Sequence, residues 1–177
     1  MLYKLLTIQP SLIINGDVTR IDLDFLVTQG IRGMILDLDN TIIPPKTCRL
    51  DPPIAEWLDA ARAREIKLIV LSNNKRLAYC QEAEAVLSIP VIHYAAKPAL
   101  KKFREALSIL ELVPGEVVVI GDRPLTDILG GQRLGAYTVL VDPLTKLSEP
   151  WYVQRLRALE RSFVKHGLTE GCVSQGA

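Results

Sequence analysis

The sequence has few cysteines, almost no net charge and no long hydrophobic run. Its three cysteines, Cys48, Cys80 and Cys172, lie far apart without a C-x-x-C pair. This spacing argues against a disulfide scaffold or a zinc knuckle and favours a reducing, cytoplasmic compartment. The formal charge of +1 gives no global field that would attract nucleic acid, so no nucleic-acid partner is expected. The longest uncharged stretches, Leu5–Gly16 and Ala85–Ala96, have twelve residues each, whereas a membrane-spanning helix needs about 20.

The length of 177 residues with 49% hydrophobic side chains predicts a single domain, 1–177, with its core at about 30–145. A chain of this length buries roughly 70% of its unfolded surface, so its core needs no metal or disulfide support.

Short apolar runs alternate with amphipathic segments along most of the chain. The runs are Gly33–Leu36, Leu68–Leu71, Val91–Ile92, Val117–Ile120 and Tyr137–Val141. Continuous rather than alternating apolar character is typical of parallel strands that are covered on both faces. The order βαβαβαβαβ therefore predicts an α/β fold, a doubly wound, Rossmann-like parallel sheet of about five strands.

Polar side chains follow four of these predicted strands, and ligands of such sheets bind beyond the carboxyl ends of the strands. In chain order they are Asp37, Asp39, Thr41, Ser72, Asn73, Lys97, Asp122 and Asp127. Converging carboxylates repel, by about 4 kcal/mol for two charges 4 Å apart at an effective dielectric of 20. Protonation or a divalent cation resolves that repulsion. Mg2+ fits an all-oxygen site that also holds a substrate phosphate, which Lys97 and Ser72 could contact.

The first two aspartates can divide the chemistry of phosphoryl transfer. Residues two apart on an extended segment point to the same side, so both carboxylates can face one substrate. Asp37, at the strand tip, is placed to attack phosphorus and form an aspartyl-phosphate. Asp39 can protonate the leaving oxygen and later activate water. Asp127 has a structural alternative as a first-turn helix residue, and Ser72 has one as a helix cap.

The motifs Asp37-x-Asp39-x-Thr41, Ser72, Lys97 and Gly121-Asp122-x-x-x-x-Asp127 resemble the four ordered motifs of the haloacid dehalogenase (HAD) phosphatases. Leu36–Ile42, Leu71–Asn74 and Ala96–Pro98 are most similar to the YqeG-type branch of subfamily IIIA, which is similar to the phosphatidylglycerophosphate phosphatases.

The resemblance implies roles for these residues. It implies Mg2+ held by Asp37, the backbone carbonyl of Asp39 and Asp122, with Asp127 in support. It also implies that Lys97 bridges Asp37 and the phosphoryl group. The implied phosphate-binding residues are Thr41, Ser72 and Asn73. Arg123-Pro124, inside the fourth motif, departs from the pattern and is expected to affect substrate choice more than metal binding.

The spacing between motifs leaves no room for the cap domains of HAD enzymes. Thirty residues separate Thr41 from Ser72, and 24 separate Ser72 from Lys97, enough for one helix–strand unit each. The expectation is a HAD-like core without a cap. An open site suits a protein, a nucleic acid or a lipid headgroup. It suits a small metabolite if a second subunit of a homo-oligomer supplies the roof.

The C-terminal segment, about 149–166, predicts a basic amphipathic helix. Its apolar stripe consists of Tyr152, Leu156, Leu159 and Phe163, and residues 146–166 contain five basic and two acidic side chains. The stripe either packs on the sheet or lies on anionic lipid, helped by Trp151 and by the apolar amino-terminal segment.

The sequence as a whole predicts a Mg2+-dependent phosphomonoesterase that acts through an aspartyl-phosphate. The favoured substrate is a phospholipid headgroup, phosphatidylglycerophosphate, which gives phosphatidylglycerol at the inner face of a membrane. The alternatives are a protein, nucleic-acid or small-metabolite phosphate, and, more remotely, a non-catalytic phospho-receiver or scaffold.

Overall fold

The fold is built on a sheet of seven parallel strands, in the order β4-β3-β2-β5-β6-β1-β7. The protein is described from a computed structural model that covers residues 8–145, 151–164 and 168–169. The strands are β1 Leu12–Ile13, β2 Gly33–Leu36, β3 Lys67–Leu71, β4 Val91–Ile92, β5 Val117–Gly121, β6 Tyr137–Leu140 and β7 Leu168–Thr169. The helices are α1 Leu23–Thr28, α2 Pro52–Ala63, α3 Leu77–Leu87, α4 Leu100–Leu110, α5 Leu129–Leu134 and α6 Trp151–Ser162. The predicted doubly wound α/β fold is confirmed.

The central strands are buried on both faces, which explains their continuous apolar sequences. All residues of β2 and β5 are buried. Their side chains alternate between two cores: Met34 and Leu36 pack in the core that includes α2, whereas Ile35 packs on the other face with Phe103 of α4.

Strand order reverses between β2 and β5. From β2 the chain proceeds outward through β3 to β4, and from β5 it proceeds in the opposite direction to β6. Leu36 pairs with Ile120 in the parallel register of the two central strands, so the residues that follow both strands emerge side by side. This is the place where doubly wound sheets bind their ligands.

Strands β1 and β7 and helix α1 were not predicted from the sequence. Strands β1 and β7 have two residues each and lie outside the alternation of strands and helices that predicted the equally short β4. Strand β1 also lies before the predicted start of the core. Ile8 is fully buried and β1 pairs with β6. The described part of the amino-terminal segment therefore packs on the protein and not on lipid, and residues 1–7 lie outside the described residues.

Residues 8–145 contain no inserted cap. A loop and α2 connect β2 to β3, and α3 alone connects β3 to β4. Among the described helices, none has the length and apolar character needed to cross a membrane.

Helix α6 packs through a different face from the predicted apolar stripe. Of the stripe residues whose side chains the structure describes, Leu159 is 57% and Phe163 is 43% exposed. Packing of the stripe on the sheet is therefore wrong for these two residues. Among the side chains of α6 that the structure describes, the buried one is Glu160, which is 3% exposed and pairs with Arg123.

Candidate active site

Three carboxylates meet at the switch point of the sheet. Asp37 directly follows β2, and its backbone N–H donates to the carbonyl of Ile120 at 2.9 Å. Asp122 directly follows β5. One carboxylate oxygen of each of these residues and of Asp127 lies within 4.8 Å of the others. The strand register thus brings together residues from two distant motifs.

Asp127 reaches this cluster from a π-helical turn, Pro124–Ile128, which precedes α5. The Arg123 backbone N–H donates to Asp127 Oδ2 at 3.2 Å, and the Asp127 N–H donates to the Arg123 carbonyl at 3.0 Å. The absence of a side chain at Gly121 makes room for the carboxylate, because a Cβ there would lie 2.5 Å from Asp127. The glycine of the fourth motif therefore allows the Asp127 side chain to lie close to the backbone of Gly121.

Lys97 supplies the positive charge of the cluster. Its Nζ lies 2.5 Å from Asp37 Oδ1 and 2.7 Å from Asp127 Oδ1, and its side chain is 3% exposed. Asn73 holds the Lys97 backbone from both sides: the Lys97 N–H donates to Asn73 Oδ1 at 2.7 Å, and Asn73 Nδ2 donates to the Lys97 carbonyl at 3.3 Å. The lysine is thereby fixed between two carboxylates.

Burial and charge perturb both partners of this ion pair. Burial raises the pKa of Asp37 to about 8; Lys97 opposes this rise, and Asp127 and Asp122 add to it. Burial would lower the pKa of Lys97, but attraction to Asp127 and Asp37 raises that pKa above its ordinary value. Lys97 therefore stays charged. Three carboxylates face one ammonium group, so this set of oxygen donors, two of them buried, fits a hard divalent cation.

Asp39 lies beside the cluster and has its own partners. Tyr79 Oη donates to Asp39 Oδ1 at 2.8 Å, and Asn74 Nδ2 donates to Asp39 Oδ2 at 3.3 Å. Its carboxylate is not part of the group of three described above. The expected use of the Asp39 backbone carbonyl as a metal ligand, and of its side chain in proton transfer, stays a prediction.

The three predicted phosphate-binding side chains are engaged within the protein. The buried Thr41 hydroxyl donates to Asp37 Oδ2 at 3.3 Å and to Asp122 Oδ1 at 3.4 Å. Ser72 Oγ accepts the Asn74 backbone N–H at 3.0 Å, but α3 begins only at Leu77 and has no side-chain cap, so the helix-cap alternative for this serine is wrong. Asn73 holds Lys97. In the described geometry these side chains thus order the site, and their contact with a phosphate remains a prediction.

Sequence reasoning did not assign site roles to Asn74, Tyr79 or Glu160. Asn74 directly follows the second motif, and its position there was a usable signal. Tyr79 lies in α3 and Glu160 in α6, where no local pattern indicates a contact with the site.

Arg123 points toward α6. Its guanidinium forms a short ion pair with the buried Glu160, and its pKa is raised, mainly by the hydrogen bond to Glu160. The expected influence of Arg123 on substrate choice stays a prediction.

Comparison with known proteins identifies similar sequences. Residues 1–145 match the family model described as mitochondrial PGP phosphatase. The chain is 37% identical over 136 residues to "Probable phosphatase YqeG" of Bacillus subtilis, which covers 77% of this chain and 78% of that protein. It is 30% identical over 163 residues to phosphatidylglycerophosphate phosphatase 1 of Arabidopsis thaliana, which covers 88% of this chain but only 47% of that protein.

Solved structures show the same fold at low sequence identity. An uncharacterised protein from Listeria monocytogenes superposes with a TM-score of 0.55 at 18% identity, covering 68% of this chain and 85% of that one. The cobalt-bound deoxy-D-mannose-octulosonate 8-phosphate phosphatase of Haemophilus influenzae gives a TM-score of 0.50 at 14% identity, covering 72% and 75%.

The carboxylate cluster predicts that a divalent cation stabilises the fold. A ligand that binds only the folded state at 100 times its Kd adds about 2.7 kcal/mol. Titration with Mg2+ should therefore raise the midpoint of thermal unfolding, and Asp122→Asn should reduce that increase. Asp59→Asn, at an exposed carboxylate of α2, should respond like the wild type. An equal shift in the wild type and Asp122→Asn would contradict a cation at this cluster.

The close approach at Gly121 predicts a specific effect of a single methyl group. Gly121→Ala should displace Asp127 and lower phosphatase activity by about 100-fold, the order expected when a catalytic group moves by 1 Å. Gly115→Ala is the matched control, because a Cβ at Gly115 meets nothing within 4 Å. Steady-state kinetics of both variants test this, and equal activities would show that Gly121 has no such role.

Proposed function

The chain belongs to the mitochondrial PGP phosphatase family of HAD-type phosphatases, and on that basis we propose that it hydrolyses a phosphomonoester through a covalent intermediate on Asp37. The observation that carries this proposal is the contact of Asp37 with Lys97 inside a group of three carboxylates, of which Asp122 and Asp127 are buried and Asp37 is partly buried. Membership in a phosphatase family leaves no support for the receiver or scaffold alternatives.

The proposed reaction has two steps. In the first, a carboxylate oxygen of Asp37 bonds to phosphorus as the ester P–O bond breaks, and Asp39 gives its proton to the leaving oxygen. In the second, Asp39 takes a proton from water, whose oxygen attacks phosphorus and restores the Asp37 carboxylate with release of inorganic phosphate. Lys97 offsets the negative charge that gathers around the phosphoryl group.

The proposed cofactor is Mg2+, with Asp37, Asp122 and the Asp39 carbonyl as ligands and Asp127 in support. When bound, such an ion neutralises phosphate oxygens and orients the phosphoryl group. Thr41 would keep Asp37 and Asp122 in position for it, because its hydroxyl donates to both carboxylates.

The proposed substrate is a phospholipid headgroup, phosphatidylglycerophosphate, with phosphatidylglycerol as the product. Three curated relatives carry the name of that phosphatase activity, from Arabidopsis, Chlamydomonas and yeast. Residues 8–145 contain no cap that would enclose a small substrate, which suits a headgroup presented by a bilayer. The names of these relatives place them in mitochondria or chloroplasts, so the cytoplasmic location stays a prediction for this chain.

The proposed membrane contact is made by α6. The helix lies at the carboxyl edge of the sheet, because Glu160 pairs with Arg123 after β5 and Arg161 donates to the Val141 carbonyl after β6. Trp151 is 69% exposed, and the Arg155 guanidinium lies 5.5 Å from the centre of its ring. Exposed aromatic and basic side chains of this kind favour an anionic lipid surface.

A second exposed cation–aromatic pair lies at the same edge of the sheet. Lys75 Nζ is 5.1 Å from the centre of the Tyr94 ring. These residues follow β3 and β4, on the opposite side of Asp37 from α6. The site is thus flanked by two groups of side chains suited to a membrane interface.

Substitution of the nucleophile tests the proposed reaction. Asp37→Asn should reduce phosphate release to background on every substrate while the protein stays folded, because an amide cannot form the acyl phosphate. The measurement is phosphate release from phosphatidylglycerophosphate, glycerol 3-phosphate, a nucleotide and a phosphopeptide, with and without Mg2+. Undiminished hydrolysis by Asp37→Asn would rule out the mechanism. Preferred hydrolysis of the peptide or nucleotide would rule out the lipid substrate but not the mechanism.

Removal of the exposed apolar side chains of α6 tests the membrane contact. The triple variant Trp151→Ala/Leu159→Ala/Phe163→Ala should bind vesicles that contain phosphatidylglycerol at least about ten-fold more weakly, since each lost side chain removes about 1.5–3 kcal/mol of burial. Sedimentation with vesicles measures this. The control is Ile109→Ala/Val113→Ala, two exposed apolar residues that precede β5. Equal sedimentation of both variants would contradict a role for α6.

A further inference from the structure

The hydroxyl of Tyr79 contacts Asp39, and the reaction described above gives it no role. Tyr79 lies in the first turns of α3 and is partly buried. Its Oη donates to Asp39 Oδ1 at 2.8 Å, whereas Asn74 Nδ2 donates to Oδ2 at the longer distance of 3.3 Å. The two oxygens of one carboxylate therefore differ in how firmly they are held.

The backbone around Tyr79 fixes the position of its ring. Asn74 Oδ1 accepts the Arg76 backbone N–H at 3.0 Å just before α3 begins, and this bond also orients the Asn74 amide. On the other side, Cys48 Sγ donates to the Tyr79 carbonyl at 3.8 Å. The start of α3 is thus tied to the loop that follows the first motif.

We propose that Tyr79 is a positioning residue for Asp39: it holds the carboxylate by Oδ1 and leaves Oδ2 to exchange the proton with the leaving oxygen and with water. This inference rests on the proposed role of Asp39 as acid and base. With a proton on Oδ2, Oδ1 is a carbonyl oxygen and still accepts from Tyr79, so the carboxyl group keeps its orientation in both protonation states.

Tyr79 acts as a donor and does not take the place of Asp39. A tyrosine phenol ordinarily carries its proton at neutral pH, and the Tyr79 hydroxyl uses that proton to donate to Asp39 Oδ1. When Oδ2 exchanges a proton, the hydrogen bond from Asn74 is the one that breaks, because it is the longer of the two bonds to Asp39.

A comparison of two leaving groups tests this role. The p-nitrophenolate ion departs without a proton, whereas the alkoxide of glycerol 3-phosphate needs one from Asp39. The value of kcat/KM reports on the steps up to and including the departure of the leaving group. Tyr79→Phe should therefore lower kcat/KM for glycerol 3-phosphate by about ten-fold, the effect of losing a hydrogen bond to a charged group. The kcat/KM for p-nitrophenyl phosphate should hardly change.

The ratio of the two kcat/KM values is the informative quantity, because it does not depend on the fraction of folded enzyme. Tyr137→Phe is the control, since Tyr137 is a partly buried tyrosine at the start of β6, and it should leave the ratio unchanged. Asp39→Asn should change the ratio more than Tyr79→Phe does. The double variant should change it no more than Asp39→Asn alone.

Each outcome separates the inference from the proposed function. If Asp39→Asn changes the ratio and Tyr79→Phe lowers both kcat/KM values equally, Tyr79 has only a structural role and the inference is wrong. If Asp39→Asn leaves the ratio unchanged, the role proposed for Asp39 is wrong, and the inference fails with it. A change in ratio for both variants but not for Tyr137→Phe supports the inference.

Discussion

Repulsion among three closely spaced carboxylates, two of them buried, is the constraint on which the site depends. The β2–β5 register and the turn after Gly121 hold one carboxylate oxygen each of Asp37, Asp122 and Asp127 within 4.8 Å of one another. Lys97 neutralises one of their charges. The remaining charge destabilises the site unless a cation or a proton compensates it. Burial raises the pKa of Asp37 to about 8, the charges of Asp127 and Asp122 add to that rise, and Lys97 opposes it. The same arrangement makes the cluster suited to a divalent ion and a phosphoryl group.

Hydrogen bonds from several elements at this edge of the sheet hold the charged side chains of the site in position. Asn73, after β3, orients Lys97, and Tyr79 of α3 orients Asp39. Arg123, after β5, anchors α6 through Glu160. Because Arg123 is adjacent to Asp122 and donates its backbone N–H to Asp127, the loop that holds the carboxylates also holds the helix proposed to contact lipid. Catalysis and membrane contact would therefore share one structural element.

The fold and the convergence of the motifs could be predicted from sequence because both follow from patterns of adjacent residues. Continuous apolar runs predict buried parallel strands, and parallel strands bring Asp37 and Asp122 to one edge. The two-residue strand β4 was located by its place in the alternation of strands and helices, whereas β1 lies outside that alternation. The hydrogen-bond partners of individual side chains depend on the tertiary structure. Thr41 contacts the carboxylates of Asp37 and Asp122, and Tyr79 contacts Asp39 from a helix. No spacing in the sequence encodes either contact.

The central claim is that Asp37 becomes covalently phosphorylated during turnover. The most direct test is to quench the enzyme in acid while it hydrolyses phosphatidylglycerophosphate with Mg2+ and to locate the phosphoryl group by peptide mass spectrometry. The account predicts one phosphoryl group on the peptide that contains Asp37, stable in acid and released by hydroxylamine, as expected of an acyl phosphate. Phosphate release with no modified peptide, or with the group on another residue, would contradict the account.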